Sequence, residues 1–142
     1  MRDDAIMEIA FVKTKLAVLW LFVAITNSAI MTLAFLAPGV IDDIRAGQVV
    51  GAQIGPELLL VVAITYFWIP LIMAVVSVTI NNSINRWINI VASILYACFV
   101  LNELISNIIT VAYPYGLLMH VSEVVVLSLI AWYAWKWPKD RG

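Results

Sequence analysis

Residues 86–110 read RWINIVASILYACFVLNELISNIIT, and this stretch decides the fold. It is long and apolar enough to cross a membrane as a single helix. At 3.6 residues per turn, one face of that helix is polar. The polar face consists of Asn89, Ser93, Tyr96, Glu103, Asn107 and Thr110. A carboxylate inside a membrane helix normally faces other helices or a wet cavity, so we expect this helix to pack within a bundle.

The rest of the chain is also unusually apolar. Of its 142 residues, 64% are hydrophobic and only 12% are charged, and the mean hydropathy is +1.02. Soluble domains are nearer half apolar and a quarter charged, so the lipid bilayer is the expected solvent and partner. The net charge of −1 and the lack of a basic stripe argue against a nucleic-acid partner. Cys98 is the only cysteine, which excludes a disulfide framework, and we predict that it is a small buried apolar residue.

The apolar runs predict an all-α integral membrane protein, a four-helix up-down bundle that forms one transmembrane domain over residues 1–142. The predicted spans are residues 16–37, 58–80, 87–112 and 117–135, with an outer loop over residues 38–55. The first run is too long for the apolar core of a cleaved signal, so we expect it to be retained. Pro70 lies in the middle of the second span and is expected to kink it, freeing a carbonyl near Tyr66. Residues 81–85 are interpreted as a tight polar turn.

The basic residues predict the orientation. Four spans place both termini on one side of the membrane, and seven of the eight Lys and Arg residues fall on that side, with Arg45 alone on the other. By the positive-inside rule, the N- and C-termini are predicted to be cytoplasmic, in the plasma (cell inner) membrane of a prokaryote. Five tryptophans near the same side are predicted to form an aromatic belt. They are Trp20, Trp87, Trp132, Trp135 and Trp137.

Polar groups recur in the outer half of every predicted span. At 1.5 Å per residue, Glu103 lies about 24 Å from the inner boundary, and Glu123 about 9 Å below the outer one. His120 precedes Glu123 by three residues, so the two side chains share a helix face. The candidate ligand-binding residues are Asn27, Tyr66, Glu103, Asn107, His120 and Glu123. We predict no metal site and no cofactor, because the ligand count is low and no cofactor motif is present.

Three functions are compatible with this polar interior. The first is a binding or transport protein for a small ligand, a proton or a cation, with Glu123 as the responsive group. The second is a structural or accessory membrane subunit without a ligand, in which the polar face joins helices or meets a partner protein. The third is an enzyme acting on a lipid or a quinone-like molecule, with Glu103 and Glu123 as acid and base. A homo-oligomer is possible in each case, since four spans barely enclose a pore.

Several motifs are specific enough to suggest a relationship. They are Lys13-Thr14-Lys15-Leu16, Ile69-Pro70-Leu71-Ile72-Met73, Asn85-Arg86-Trp87-Ile88-Asn89-Ile90, and Glu123 with Trp132-Tyr133-Ala134-Trp135-Lys136-Trp137-Pro138. Together they resemble a family of small, uncharacterised prokaryotic four-span membrane proteins, known only as a domain of unknown function. The resemblance covers most of the chain. It implies an integral membrane four-helix bundle, and it implies no reaction or ligand.

Overall fold

The computed structural model describes residues 2–49, 52–110 and 113–137, with side chains from residue 6 onward in those ranges. Some sequence-based predictions lie outside these residues. They are the end of the third span at Ala112, the basic residues Lys139 and Arg141, and the side chain of Arg2.

Within the described ranges, four helical segments are long and apolar enough to cross a membrane. The first is α1 (Arg2–Ala34), the third α5 (Asn82–Thr110) and the fourth α6 (Pro114–Trp135). The second span is built from α3 (Pro56–Val62), a π-helical segment (Ala63–Trp68) and α4 (Ile69–Thr79). The chain is therefore an all-α, multi-pass integral membrane protein, as predicted.

The four spans form an antiparallel bundle in which α1 packs against α4 and α6, and α5 packs along α6. The backbones of the second span and α5 are further apart, and these two spans are joined by side-chain hydrogen bonds. The centre of the bundle is apolar and fully enclosed around Leu16, Trp20, Val23, Leu127 and Ile130. Most large apolar side chains elsewhere are exposed, as expected where the surrounding solvent is lipid.

The second span is irregular where Pro70 was expected to disturb it. Pro70 lacks a backbone N–H, and its ring crowds the carbonyl of the residue four positions earlier, which is Tyr66. The helix accommodates this with the wider π-helical turn over Ala63–Trp68, directly before Pro70. The Tyr66 carbonyl accepts a hydrogen bond from a side chain of α1 instead. The expectation of a freed carbonyl near Tyr66 is thus confirmed.

The bounds of two spans differ from the sequence-based prediction. The first helix begins at Arg2 rather than near Leu16, because the residues before the predicted span belong to the same helix. The third begins at Asn82, so most of the segment interpreted as a tight turn is helical. Asn85 then lies inside the helix and is completely buried. Polar residues near a helix end resemble capping residues in sequence, which explains the error.

The connection between the first two spans is more ordered than a simple loop. It contains a short helix α2 (Val40–Arg45) and a two-stranded antiparallel hairpin, β1 (Gln48–Val49) and β2 (Ala52–Gln53). Gly39 and Gly47 flank α2 with positive φ angles of 86° and 76°, which only glycine adopts without strain. We call this side of the bundle the loop end, and the opposite side, where α1 begins and α6 ends, the terminal end.

Aromatic and basic side chains pair at the terminal end. Lys15 lies over the rings of Phe11 and Tyr133, and Lys136 lies 4.2 Å from the centre of the Trp132 ring. Trp87, Trp132 and Trp135 are exposed, as a belt requires. The belt prediction is wrong for Trp20 and Trp137, which are buried in the bundle. Cys98 also departs from expectation, because it is exposed on the outer face of α5 rather than buried.

Candidate functional site

The most unusual group in the bundle is the carboxyl of Glu123, which is 0% exposed in the loop-end half of α6. One of its oxygens, Oε2, lies 3.2 Å from Nδ1 of His120, one turn earlier on the same helix. His120 is itself 5% exposed. The other oxygen, Oε1, is buried and has no hydrogen-bond partner. A buried carboxyl with an unsatisfied oxygen is costly unless a proton, a cation or a donor completes it.

A second unsatisfied acceptor lies on the neighbouring helix. Asn107 of α5 packs against Gly116 of α6, and a Cβ atom on Gly116 would lie 2.6 Å from the Asn107 Nδ2 atom. Glycine therefore allows the two helices to approach closely at this level. The Oδ1 atom of Asn107 is buried without a partner. Gly116, His120 and Glu123 follow one another on the buried face of α6, so both unsatisfied oxygens belong to the same helix pair.

Glu103 lies on the side of the α5–α6 pair that faces the second span, and Tyr66 approaches it from that span. Both side chains are partly exposed. The Tyr66 hydroxyl is close to Glu103. The hydrogen-bond partner of Glu123 is His120 rather than Glu103. The structure thus places four predicted residues, Glu103, Asn107, His120 and Glu123, together with the Tyr66 hydroxyl, in one loop-end cluster.

Asn27 has a different environment. Its Nδ2 donates to the Tyr66 carbonyl at 3.0 Å and to the Tyr96 hydroxyl at 2.8 Å. The Tyr96 hydroxyl in turn donates to the Thr65 carbonyl at 2.8 Å. Both amide hydrogens of Asn27 are therefore used to join α1, α5 and the π-helical segment. Asn27 therefore bonds to the backbone at the irregularity before Pro70 and to Tyr96, rather than to the loop-end cluster.

A second polar network lies in the terminal half of the bundle and was not predicted. Asn89 Oδ1 accepts from the Trp20 indole at 2.8 Å, and Ser77 Oγ lies 3.0 Å from the same oxygen. Asn89 Nδ2 donates to the Asn85 Oδ1 at 2.6 Å, and Asn85 Nδ2 donates to the Ser77 carbonyl at 2.6 Å. All four side chains are completely buried. This network joins three spans and leaves no acceptor free, so it serves packing rather than ligand binding.

The sequence held a partial signal for this network. Asn89 was recognised on the polar face of α5, and Asn85 lies four residues earlier, one helical turn away. Ser77 and Trp20 were missed because a serine and a tryptophan in apolar spans are ordinary. Which of them meets Asn89 depends on the rotation of each helix, and sequence periodicity does not give that rotation.

An apolar hollow lies on the second span, away from the polar residues. It measures about 280 Å³ and is lined by Trp68, Leu71, Ile72, Val75 and Val76 of the second span. It includes none of the six candidate residues. Among the described residues, no group of three or more His, Cys, Asp or Glu side chains is placed to hold a metal ion.

The four-span bundle with a buried polar interior defines the class as a small multi-pass membrane protein. A family model supports a narrower statement: residues 6–141 match the family of unknown function DUF6326, so the chain belongs to that family. The family resemblance seen in the sequence motifs is thereby confirmed over nearly the whole chain. Neither the curated proteins nor the solved structures contain a match to this chain.

The close approach of α5 and α6 at Gly116 gives a first testable prediction. Gly116→Ala is expected to displace the Asn107 side chain and to lower the free energy of unfolding by about 1 kcal/mol. Adding Asn107→Ala should restore most of that loss, because the clash is with the end of this side chain. Gly55→Ala is the control, since its Cβ would enter open space. Unfolding in mixed detergent micelles measures all four proteins, and equal losses at Gly55 and Gly116 would contradict the prediction.

Proposed function

We propose that the loop-end cluster binds a small ligand that carries a proton or a positive charge, with Glu123 as its central group. The observation that carries this proposal is the Glu123 carboxyl, fully buried and with Oε1 left without a partner. Asn107 supplies a second unsatisfied oxygen on the adjacent helix. Both unsatisfied atoms are acceptors, so the missing component is a donor or a cation.

The charge balance of the cluster leads to the same ligand class. An ionised carboxyl inside a membrane bundle is too costly to stand alone. His120 is the basic side chain within reach of Glu123, and it is equally enclosed. With a proton on Glu123, the carboxyl is neutral. A cation that binds at Oε1 replaces this proton, so proton and cation binding at Glu123 are coupled.

Access to the cluster is proposed to run between the second span and α5. Tyr66, Glu103 and Asn107 are the partly exposed members of the cluster, whereas His120 and Glu123 are buried behind them. Near the cluster, the second span and α5 contact each other through the edge-to-face rings of Tyr66 and Phe99, whose centres are 5.4 Å apart, and through the Tyr96–Thr65 hydrogen bond. Aromatic side chains that change rotamer open a path without breaking backbone hydrogen bonds. Transport in this view is an extension of binding and needs more than one copy of the chain.

We also propose a location and an orientation for the protein. The excess of basic residues at the terminal end supports cytoplasmic termini in the plasma membrane of a prokaryote. With that orientation the loop-end cluster faces the outer leaflet. The ligand is then taken from outside the cell or from the outer half of the bilayer.

The test is thermal unfolding of the purified protein in detergent, from pH 5 to 8 and with a panel of monovalent cations. A ligand present at about 100 times its Kd raises the free energy of unfolding by ~2.7 kcal/mol, which raises the Tm by several degrees. Glu123→Gln is expected to keep the fold and to lose this response. Glu57→Gln, an exposed acid at the start of α3, is the matched control and should respond like the wild type.

A second candidate, the accessory membrane subunit, is supported by the fully satisfied network around Asn89, which holds three spans without any ligand. In that case the wild type and Glu123→Gln would show the same flat profile with every cation. Such a result would reject the binding proposal. For the enzyme hypothesis, the acid–base pair would have to involve His120, since that is the residue bonded to Glu123.

A further inference from the structure

The outer face of α5 carries two polar side chains where lipid is expected. Asn102 and Ser106 are one helical turn apart, and both are exposed. At 1.5 Å per residue Asn102 lies in the loop-end half of the hydrocarbon core, whereas Ser106 is near its boundary. They are not part of the loop-end cluster, because that cluster uses the neighbouring face of α5, which carries Glu103 and Asn107. An amide facing lipid without a partner is costly, so this surface calls for a contact outside the monomer.

Asn102 and Ser106 differ in their hydrogen bonding from most Ser and Thr residues of the helices. Seven Ser and Thr hydroxyls in the described helices, Ser77 not counted, donate to the carbonyl four residues earlier, which satisfies them locally. Within the described part of the chain, the side chains of Asn102 and Ser106 form no such bond. Thr110 follows the general rule and donates to the Ser106 carbonyl at 2.6 Å. Among the described residues, neither the Asn102 side chain nor the Ser106 side chain has a hydrogen-bond partner, and both are exposed.

The residues around Asn102 follow the spacing of a helix-pairing surface. Positions on this face alternate by three and four residues along the whole of α5, which is the heptad spacing of two helices that pack side by side. We call this surface the α5 stripe. It consists of Ile84, Ile88, Val91, Leu95, Cys98, Asn102, Ile105 and Ile109. Apart from the partly buried Ile88, every member is exposed, up to 76% for Ile109.

We propose that the α5 stripe pairs with the α5 stripe of a second copy of the chain. Two copies inserted in the same orientation present their α5 helices parallel to each other, so identical residues face one another across the two-fold axis. Asn102 then meets the partner's Asn102. A primary amide offers a donor and an acceptor, so it is complementary to itself, and a single asparagine at such a position favours a parallel pair. This complementarity singles out a second copy as the occupant rather than lipid.

The pairing depends on a face of α5 that the proposed function does not use. Glu103 and Asn107 face the bundle interior, whereas the α5 stripe faces outward. Pairing would place two loop-end clusters on either side of one α5–α5 contact. The two proposals therefore fail separately: loss of dimerisation leaves ligand-dependent stability to be measured in the monomer.

Cross-linking through the native cysteine tests the pairing directly. Cys98 lies on the α5 stripe one turn before Asn102, and it is the only cysteine in the chain. The full-length protein is reconstituted in vesicles at increasing lipid-to-protein ratios and oxidised with copper phenanthroline. We expect a disulfide-linked species of twice 15.8 kDa that persists on dilution. The control is Cys98→Ala combined with Ile25→Cys, which is exposed at similar depth on α1, away from the stripe.

A second variant tests the role of the amide. Asn102→Leu removes the polar contact but suits a lipid-facing position, so the fold should be kept. We expect the cross-linked fraction at high dilution to fall about 5- to 10-fold, and Asn102→Gln to recover part of it. Equal cross-linking from positions 25 and 98, or a Cys98 product that disappears on dilution, would overturn the pairing. Unchanged cross-linking in Asn102→Leu would overturn the asparagine contact, and a product with a different protein in native membranes would overturn the second copy as occupant.

Discussion

Replacing Asn89 with alanine is expected to lower the free energy of unfolding by about 3 kcal/mol. Asn89 is the residue on which the terminal network depends. Its side chain binds Trp20 on α1 and Ser77 on α4, and it binds Asn85 on its own helix. Removing it leaves the Trp20 indole N–H and the side-chain Oδ1 of Asn85 without these partners in a completely buried site. Single hydrogen bonds in membrane proteins average about 0.6 kcal/mol, so the larger effect arises from the buried groups left unpaired.

The measurement is reversible unfolding in mixed micelles, compared with Ser93→Ala. Ser93 is also completely buried on α5, but its hydroxyl bonds to the Ile90 carbonyl of the same helix at 3.0 Å. Its loss should cost less than about 1 kcal/mol. Trp20→Phe should weaken the protein by itself and add little to Asn89→Ala, because both changes break the same bond. Additive losses, or equal losses at positions 89 and 93, would show that the network does not act as one unit.

The architecture followed from the sequence because membrane spans are encoded by local composition. Four apolar runs and the breaks between them are enough to define four helices, since each span must satisfy its backbone internally. The inward direction of the α5 polar face was equally predictable, and Asn89, Ser93 and Tyr96 are all buried. Thr110 does not follow, because the outermost turn of α5 is exposed and its hydroxyl bonds to the helix backbone.

The candidate site was predictable as a set of residues but not as a set of contacts. Spacing alone placed His120 and Glu123 on one helix face, and the structure adds that both are enclosed. The separation of Asn27 from the loop-end cluster was not predictable, because Asn27 and Tyr66 lie at similar depths. Asn27 bonds to the backbone carbonyl of Tyr66, whereas the Tyr66 hydroxyl is close to Glu103. The direction of that carbonyl depends on the π-helical turn before Pro70. Contacts between spans depend on helix rotation and on backbone irregularity, and the hydropathy of a sequence predicts neither of them.

The pairing of Asn27 with the Pro70 irregularity leads to the second large prediction. Asn27→Ala is expected to lower the free energy of unfolding by about 2 kcal/mol. It removes the donor to the Tyr66 carbonyl and the donor to the Tyr96 hydroxyl. In a regular helix the Tyr66 carbonyl would be satisfied by the N–H of residue 70, but proline has none. After the substitution this carbonyl is left unsatisfied within the membrane.

Pro70→Ala should therefore reduce the cost of Asn27→Ala, because alanine restores an N–H four residues after Tyr66. In the Pro70→Ala background we expect Asn27→Ala to lower the free energy of unfolding by about 1 kcal/mol. This remaining loss is that of the hydrogen bond between Asn27 and Tyr96. Pro56→Ala is the matched control. Pro56 stands at the start of α3, where an N–H has no helical acceptor, so its replacement should leave the cost of Asn27→Ala unchanged. If Asn27→Ala costs the same in all three backgrounds, the Tyr66 carbonyl is not the group that Asn27 stabilises. In that case the role of Asn27 would rest on Tyr96 alone, and Asn27 would act as a link between α1 and α5 rather than as the closure of a proline break.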